Sequence, residues 1–173
     1  MTAPIVLSAG ALQVVFTKQG DRYRHEVFLR GEAETVLLLT SQEGDHAQRW
    51  PASPALQELH VEDRPRGVQA ALLVGMAGSS HWSLSCELHP ATSRVAFEAA
   101  CRLREAPDQL GSLYRLAAGV RRVGDTLETP VGRCALQSVS EAADASDRLR
   151  FTIDTSHAPL PHTAVWSYSF SRP

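Results

Sequence analysis

The feature that most limits the fold of this chain is the alternation of apolar and polar residues along short segments. Leu149, Phe151 and Ile153 alternate with arginine and threonine, and a second run of this kind covers residues 166–171. Side chains that alternate with a period of two lie on opposite faces of a β-strand, whereas an amphipathic helix needs a period near 3.6. Glycine, proline, aspartate and serine interrupt these segments at short intervals, so the pattern predicts many short strands.

Eleven or twelve strands are predicted. Their spans are 11–17, 22–30, 34–41, 56–63, 67–76, 81–89, 94–104, 112–119, 126–129, 132–139, 147–155 and 163–171. Twelve strands are too many for one flat sheet. The sequence therefore predicts an all-β fold, an antiparallel two-sheet sandwich, with a flattened barrel as the alternative. A length of 173 residues with 43% hydrophobic content fits a single all-β domain over residues 1–173.

Several classes of function are disfavoured by charge and composition. A net charge of −2 provides no broad positive field, so we expect neither nucleic acid nor an anionic membrane as a partner. No segment approaches the roughly 20 apolar residues of a membrane helix, and the first residues lack the basic start of a secretory signal. Three cysteines without a CxxC pair indicate no disulfide framework and no metal site. We expect a soluble cytoplasmic protein without a cofactor.

One hairpin can be registered from the sequence alone. A four-residue loop, residues 90–93, pairs Leu88 with Val95 and Trp82 with Cys101, which places all the apolar residues on one face. Cys86 then lies four residues from Cys101 along the strands, roughly 13 Å at ~3.3 Å per residue. This distance exceeds disulfide reach, so both thiols are predicted to be free and buried.

A second hairpin is predicted around residues 18–21. A four-residue loop there aligns Phe16 with Tyr23 and Val14 with His25. His25 would lie on the same face as Val27, directed into the core. A histidine in that position is either a hydrogen-bonded structural residue or an acid or base whose pKa burial has shifted.

The outer face of the registered hairpin is the sharpest candidate site. His81, Glu87, Glu98 and Arg102 lie there among small serine and alanine side chains, which leave room for a ligand. The alternative is an ordinary solvated face with cross-strand charge pairs. The neighbouring segment, residues 68–74, is apolar on both faces, which predicts a strand covered on both sides and favours a partly enclosed pocket.

Trp50 is the remaining candidate for ligand contact. It lies in a long proline-bounded connection, residues 42–54, and loops of this length often carry sites. An exposed indole there could stack on a sugar ring or on a partner. Alternatively, the loop folds back and the tryptophan closes one end of the sandwich.

No segment identifies a family, so the functional hypotheses rest on the candidate site. Many-stranded antiparallel sandwiches include carbohydrate-binding modules and enzymes of the galactose mutarotase-like class, which is an analogy of fold only. The first hypothesis is the binding of a carbohydrate or similar polar small molecule on the sheet face. The second is an acid/base enzyme of a mutarotase-like type that uses His81 with Glu87 or Glu98. The third is a protein–protein interaction module without a small-molecule site.

Overall fold

The computed structural model describes residues 3–139, 141–145 and 147–173. These residues contain fifteen strands: β1 (Ile5–Ala9), β2 (Leu12–Gln19), β3 (Arg22–Arg30), β4 (Thr35–Ser41), β5 (Glu58–Arg64), β6 (Val68–Ala77), β7 (Ser80–His89), β8 (Arg94–Leu103), β9 (Gly111–Leu116), β10 (Arg121–Val123), β11 (Thr126–Thr129), β12 (Gly132–Ser138), β13 (Glu141–Ala145), β14 (Arg148–Thr152) and β15 (His162–Ser171). Single 3-10 turns occupy Pro65–Gly67 and Pro90–Thr92. The described part of the chain holds no helix of the length and apolarity needed to cross a membrane.

Two antiparallel sheets pack face to face. One has seven strands in the order β1-β2-β3-β4-β9-β14-β13, and the other has eight in the order β10-β11-β12-β15-β8-β7-β6-β5. Among the described strands each sheet ends on two edge strands, so neither sheet closes into a barrel. The predicted antiparallel two-sheet sandwich is confirmed.

The strand count is higher than the sequence predicts. Each of the twelve predicted strands has a counterpart, and the additional strands are β1, β10 and β13. All three are short, with five, three and five residues. β13 has the sequence EAADA, which lacks the β-branched and aromatic residues that mark a strand. Pairing with β14, rather than intrinsic propensity, accounts for β13.

The register of the β7–β8 hairpin is confirmed, because Leu88 faces Val95 and Trp82 faces Cys101. The register predicted for the β2–β3 hairpin is wrong, since Phe16 faces His25 instead of Tyr23. The strands continue to Gln19 and Arg22, so the turn has two residues where four were predicted. Gly20 makes this tight turn possible with a φ of 61°, a left-handed conformation that glycine adopts without steric cost.

Aromatic rings fill the centre of the space between the sheets. Phe151 on β14 stacks on Tyr168 on β15, with ring centroids 3.9 Å apart. Tyr114 on β9 meets both rings edge to face, and Phe97 on β8 stacks on Tyr168. Trp82 and Trp166, which are 2% and 1% exposed, form an edge-to-face pair in the eight-stranded sheet. These contacts join the two sheets through one core.

The outer face of β6 is covered near its start and open near its end. β6 lies between β5 and β7, as an internal strand should. On the outer face Ala70 is fully buried and Leu72 is half-buried, whereas Val74 is 49% exposed and Met76 is 45% exposed. The prediction that residues 68–74 are covered on both sides therefore holds at Ala70 and is wrong at Val74.

The long connection between β4 and β5 folds against one end of the sandwich. Trp50 is only 6% exposed and belongs to the core. Gly75 on β6 allows a close approach, because a Cβ there would lie 2.1 Å from the carbonyl oxygen of Ala55. The Gln57 N–H donates to the carbonyl of Val74 at 2.8 Å. The loop tryptophan thus closes the end of the sandwich, which is the second of the two roles predicted for it.

Candidate functional site

The predicted sheet face exists, and its four candidate residues occupy two separate depressions. His81 pairs in register with Arg102, whereas Glu98 lies opposite Ser85 and Glu87 lies opposite Ala96. Along β7, His81 is six residues from Glu87, a separation of about 20 Å at ~3.3 Å per residue. The structure therefore does not bring His81 together with either glutamate.

The first depression, which we call the polar depression, has a volume of about 300 Å³. It is lined by Ser85, Glu87, Arg94, Ala96, Phe97, Glu98, Gln137, Ser138, Val139, Ser167, Tyr168 and Ser169. Glu87 is held by the Arg64 guanidinium and, at 3.3 Å, by His89 Nε2. Glu98 is exposed. Serine hydroxyls surround these charges, so the depression offers both hydrogen-bond donors and acceptors.

The second depression on this face has a different chemical character. Its volume is about 490 Å³, and its lining includes His81 and Arg102 together with the half-exposed Val74 and Met76. Arg102 Nη1 donates to Thr163 Oγ1 at 3.1 Å. We call this region the apolar depression, because aliphatic side chains form its floor.

Trp50 belongs to neither depression. Its indole is buried at the end of the sandwich, and its backbone carbonyl accepts a hydrogen bond of 2.9 Å from Gln109 Nε2. The ring therefore cannot stack on a ligand at the protein surface. The position holds the loop in place.

A larger cleft, which the sequence analysis missed, lies where the β4–β5 connection crosses the start of β3. This loop cleft has a volume of about 560 Å³. It is lined by Gln19, Gly20, Asp21, Arg22, Arg24, Ser41, Gln42, Glu43, Gly44, Asp45, His46, Gln48, Ala52 and Gln109. Nearly every lining residue is polar.

Glu43 is the unusual carboxyl of the loop cleft. Burial raises its pKa to about 7, although its hydrogen bond with Ser41 and the charges of Arg24 and Arg22 act in the opposite direction. Ser41 Oγ accepts from the His25 N–H at 2.8 Å and lies 3.0 Å from the His25 carbonyl. A hydroxyl has one proton. If Ser41 donates it to the carbonyl, the contact between Ser41 and Glu43 needs a proton on Glu43.

Arg22 is almost completely buried beside Glu43, with 4% of its surface exposed. Its Nη1 donates to the Glu43 carbonyl at 2.9 Å, and its Nη2 lies 3.5 Å from the His46 carbonyl. Among the described residues, no carboxylate forms an ion pair with Arg22, and its Nε has no hydrogen-bond partner. Arg24, by contrast, pairs with Glu26 at 3.3 Å.

His25 is a structural residue of the core. Its Nε2 is 2.7 Å from the Tyr114 hydroxyl, which lies 2.6 Å from the hydroxyl of Tyr168. Burial lowers the pKa of His25 to about 3, so the imidazole is neutral at physiological pH. The neutral ring lies between aromatic side chains, with Phe97 stacked on it at 5.3 Å. This arrangement confirms the hydrogen-bonded structural role.

Within residues 3–139, 141–145 and 147–173, no group of three or more histidine, cysteine, aspartate or glutamate side chains is placed to hold a metal ion. No protein-family model matches the chain, and no curated protein is significantly similar to it in sequence. The geometry of the three cavities is therefore the basis for inferring function.

The sequence contains a weak signal for the loop cleft. Arg22 and Arg24 alternate at the start of one strand, and Ser41 and Glu43 alternate at the end of its neighbour. Because β3 and β4 pair antiparallel, the start of one meets the end of the other. That Glu43 is half-buried could not be predicted from an isolated loop glutamate.

Proposed function

We propose that this chain binds a carbohydrate or similar polar small molecule in the polar depression. One observation carries the proposal: strands β7, β8, β15 and β12 direct carboxylate, guanidinium, amide and hydroxyl groups around one concave site. Ligand sites are typically concave, with a few convergent polar groups that set orientation. The predicted Glu87 and Glu98 belong to this site, and Arg94 and Gln137 add donors to it.

Recognition here depends on hydrogen bonds. The Phe97 and Tyr168 side chains are 1% and 3% exposed, so no ring is available to stack on a sugar. Serine hydroxyls donate and accept, which suits a ligand with several hydroxyl groups. Among the described residues Glu98 forms no ion pair, so its carboxylate can accept from two adjacent ligand hydroxyls.

A cytoplasmic location is part of the same proposal. Cys86, Cys101 and Cys134 are all free and buried. Free thiols persist in reducing compartments, whereas small secreted domains commonly rely on disulfides. The proposal therefore directs the ligand search toward intracellular polar metabolites.

The test is a thermal-shift screen against uncharged sugars, sugar phosphates and nucleotides at millimolar concentration. A ligand that binds only the folded protein raises Tm. We expect one class to raise Tm, and Glu98→Ala to remove the shift. His81→Ala is the matched control, because His81 lies in the apolar depression and should leave the shift intact. Equal losses in both variants, or no shift with any compound, would contradict the proposal.

Protein–protein interaction is the second candidate function, and a specific observation favours it. Val74, Met76 and Val165 are each about half exposed on one face of the eight-stranded sheet. Clustered apolar residues on an open sheet face are typical of contact surfaces. Light scattering of the wild type and of Met76→Lys over a hundredfold concentration range tests self-association through this face.

A further inference from the structure

The loop cleft contains a buried positive charge that has no ion-pair partner among the described residues. Arg22 is 96% buried, and the hydrogen bonds of its guanidinium go to backbone carbonyl groups. Buried charges in proteins are normally paired, because removing an ion from water is costly. Glu43 is the candidate for pairing, since the charges of Arg24 and Arg22 both act on its carboxyl.

Glu43 is an incomplete counter-ion. Burial raises its pKa to about 7, so about half of the molecules carry a neutral Glu43 at neutral pH. Ser41 Oγ accepts from the His25 N–H and contacts both the His25 carbonyl and Glu43, and its single proton can be donated to only one of these two groups. The cleft thus places the buried Arg22 guanidinium on the same lining as a carboxyl that can hold a proton.

We propose that the loop cleft is a second ligand site, distinct from the polar depression, which binds the carboxylate of a small organic acid beside Arg22 and Glu43. A carboxylate supplies the missing negative charge and accepts a charge-assisted hydrogen bond from the carboxylic acid. The side-chain oxygen of Gln42, which lines the same cleft, can accept a hydrogen bond from a hydroxyl group of the ligand, while the Gln42 Nε2 is held by the carbonyls of Thr40 and Ser41. A 2-hydroxy acid has both features.

The other charged groups of the cleft do not fill this role. Arg24 is paired with Glu26, and Asp21 accepts a hydrogen bond from Gln57. Asp45 lies 3.0 Å from His46 Nδ1, and these two side chains are 62% and 78% exposed. Water and salt screen charges at such exposed positions. Arg22 is therefore the buried charged group of the cleft that lacks a carboxylate partner among the described residues.

Binding should be linked to the protonation of Glu43. A carboxylate binds well while Glu43 is protonated, and it meets a like charge once Glu43 ionises. Affinity should therefore be nearly constant between about pH 5.5 and 6.5 and should fall up to tenfold per pH unit well above pH 7. Bound ligand also excludes water from Glu43, which raises its pKa further and causes proton uptake on binding.

The experiment measures the binding of lactate and of its uncharged analogue lactamide from backbone amide NMR shifts between pH 5.5 and 8.5. We expect lactate to shift residues 41–46 with an affinity at least tenfold lower at pH 8.5 than at pH 6, and lactamide to bind at least tenfold more weakly at pH 6. In Glu43→Gln, lactate binding should persist and lose its pH dependence. Inorganic phosphate serves as a second anion, and tighter binding of phosphate than of lactate would overturn the assignment to a carboxylate.

Two controls separate this inference from the proposed function. Glu98→Ala should leave lactate binding unchanged, because Glu98 lies in the polar depression. Arg24→Gln should reduce lactate affinity less than Arg22→Gln. If Arg22→Gln does not fold, Arg22→Lys replaces it as a variant that retains the positive charge. No shift at residues 41–46, or equal affinity for lactate and lactamide, would overturn the loop-cleft proposal whether or not the polar depression binds its own ligand.

Discussion

At the scale of single residues, the buried His25 and the half-buried Glu43 have pKa values shifted by the same physical cause in opposite directions. Burial disfavours the charged form, so it lowers the pKa of His25 to about 3 and raises that of Glu43 to about 7. Both groups are consequently neutral at mildly acidic pH. His25 has aromatic neighbours and a tyrosine partner, whereas Glu43 borders a cleft and can exchange its proton with a ligand.

Glu43→Gln should change how stability depends on pH. The folded state retains the Glu43 proton up to about pH 7, whereas the unfolded chain releases it near pH 4.5, so wild-type stability includes a contribution that is lost as pH rises between these values. Glutamine does not titrate, so the variant does not lose stability in this way as pH rises. We expect its stability relative to wild type to increase by on the order of 1–3 kcal/mol from pH 4.5 to pH 7.5.

Urea denaturation at intervals of half a pH unit measures this difference. His25 contributes the opposite slope between about pH 3 and 6.5, because its unfolded state binds the extra proton, but it does so equally in both proteins. The difference between the two curves therefore isolates Glu43. A difference that stays constant with pH would show that Glu43 ionises normally in the folded state.

At the scale of elements, the long connection between β4 and β5 behaves as part of the sandwich. Ser53 is 2% exposed and makes a reciprocal pair of hydrogen bonds with Leu113 on β9, at 2.9 and 3.0 Å. The loop thereby satisfies backbone groups of β9 where strand pairing with β4 ends at Ser41. Together with buried Trp50, these bonds give the loop cleft a rigid wall.

Ser53→Ala should destabilise the protein by about 1–3 kcal/mol, because it leaves the buried Leu113 N–H without its acceptor. Ser79→Ala is the matched control, since Ser79 is exposed and its contact with Glu105 is long, at 3.4 Å. Urea denaturation of both variants gives the comparison. Similar stabilities for the two would mean that water replaces Ser53 and that the loop is less firmly attached than the hydrogen bonds indicate.

The two hairpins show which features of strand pairing the sequence can predict. Strict alternation along β7 and β8 determined a register that the structure reproduces residue by residue, because a slip of one residue would have turned Trp82 to solvent. The register predicted for the β2–β3 hairpin is wrong for a related reason. A two-residue loop and a four-residue loop both keep His25 on the core face, so alternation is satisfied by either. Alternation constrains faces, so it cannot distinguish registers that differ by two residues.

At the scale of the whole molecule, function depends on features that alternation does not encode. The polar depression combines residues from four strands, of which only β7 and β8 are neighbours with a register readable from sequence. His81 and Glu87 share a face without sharing a cavity, because a strand of ten residues extends across both depressions. The burial of Trp50 and the partial burial of Glu43 depend on how a loop folds back, and loop composition alone cannot determine that.

The three thiols should be inert in the folded protein. Burial raises the pKa of Cys101 and Cys134 to about 12 and that of Cys86 well above its usual value, so almost no thiolate forms at pH 8. We expect no rapid reaction with a thiol reagent such as Ellman's reagent in native buffer, and three equivalents in denaturant. A single fast-reacting thiol in native buffer would contradict the burial of that cysteine.

The position of the three tryptophans has a spectroscopic consequence. Trp50, Trp82 and Trp166 are all at least 94% buried, so folded protein should emit at the short wavelengths of indole in an apolar environment. Unfolding should shift that emission strongly to the red. Occupation of the polar depression, in contrast, changes the surroundings of none of the three rings directly. Intrinsic fluorescence should therefore report whether the sandwich is folded and should change little when a ligand binds in the polar depression. Unfolding and ligand binding can then be distinguished in a single sample.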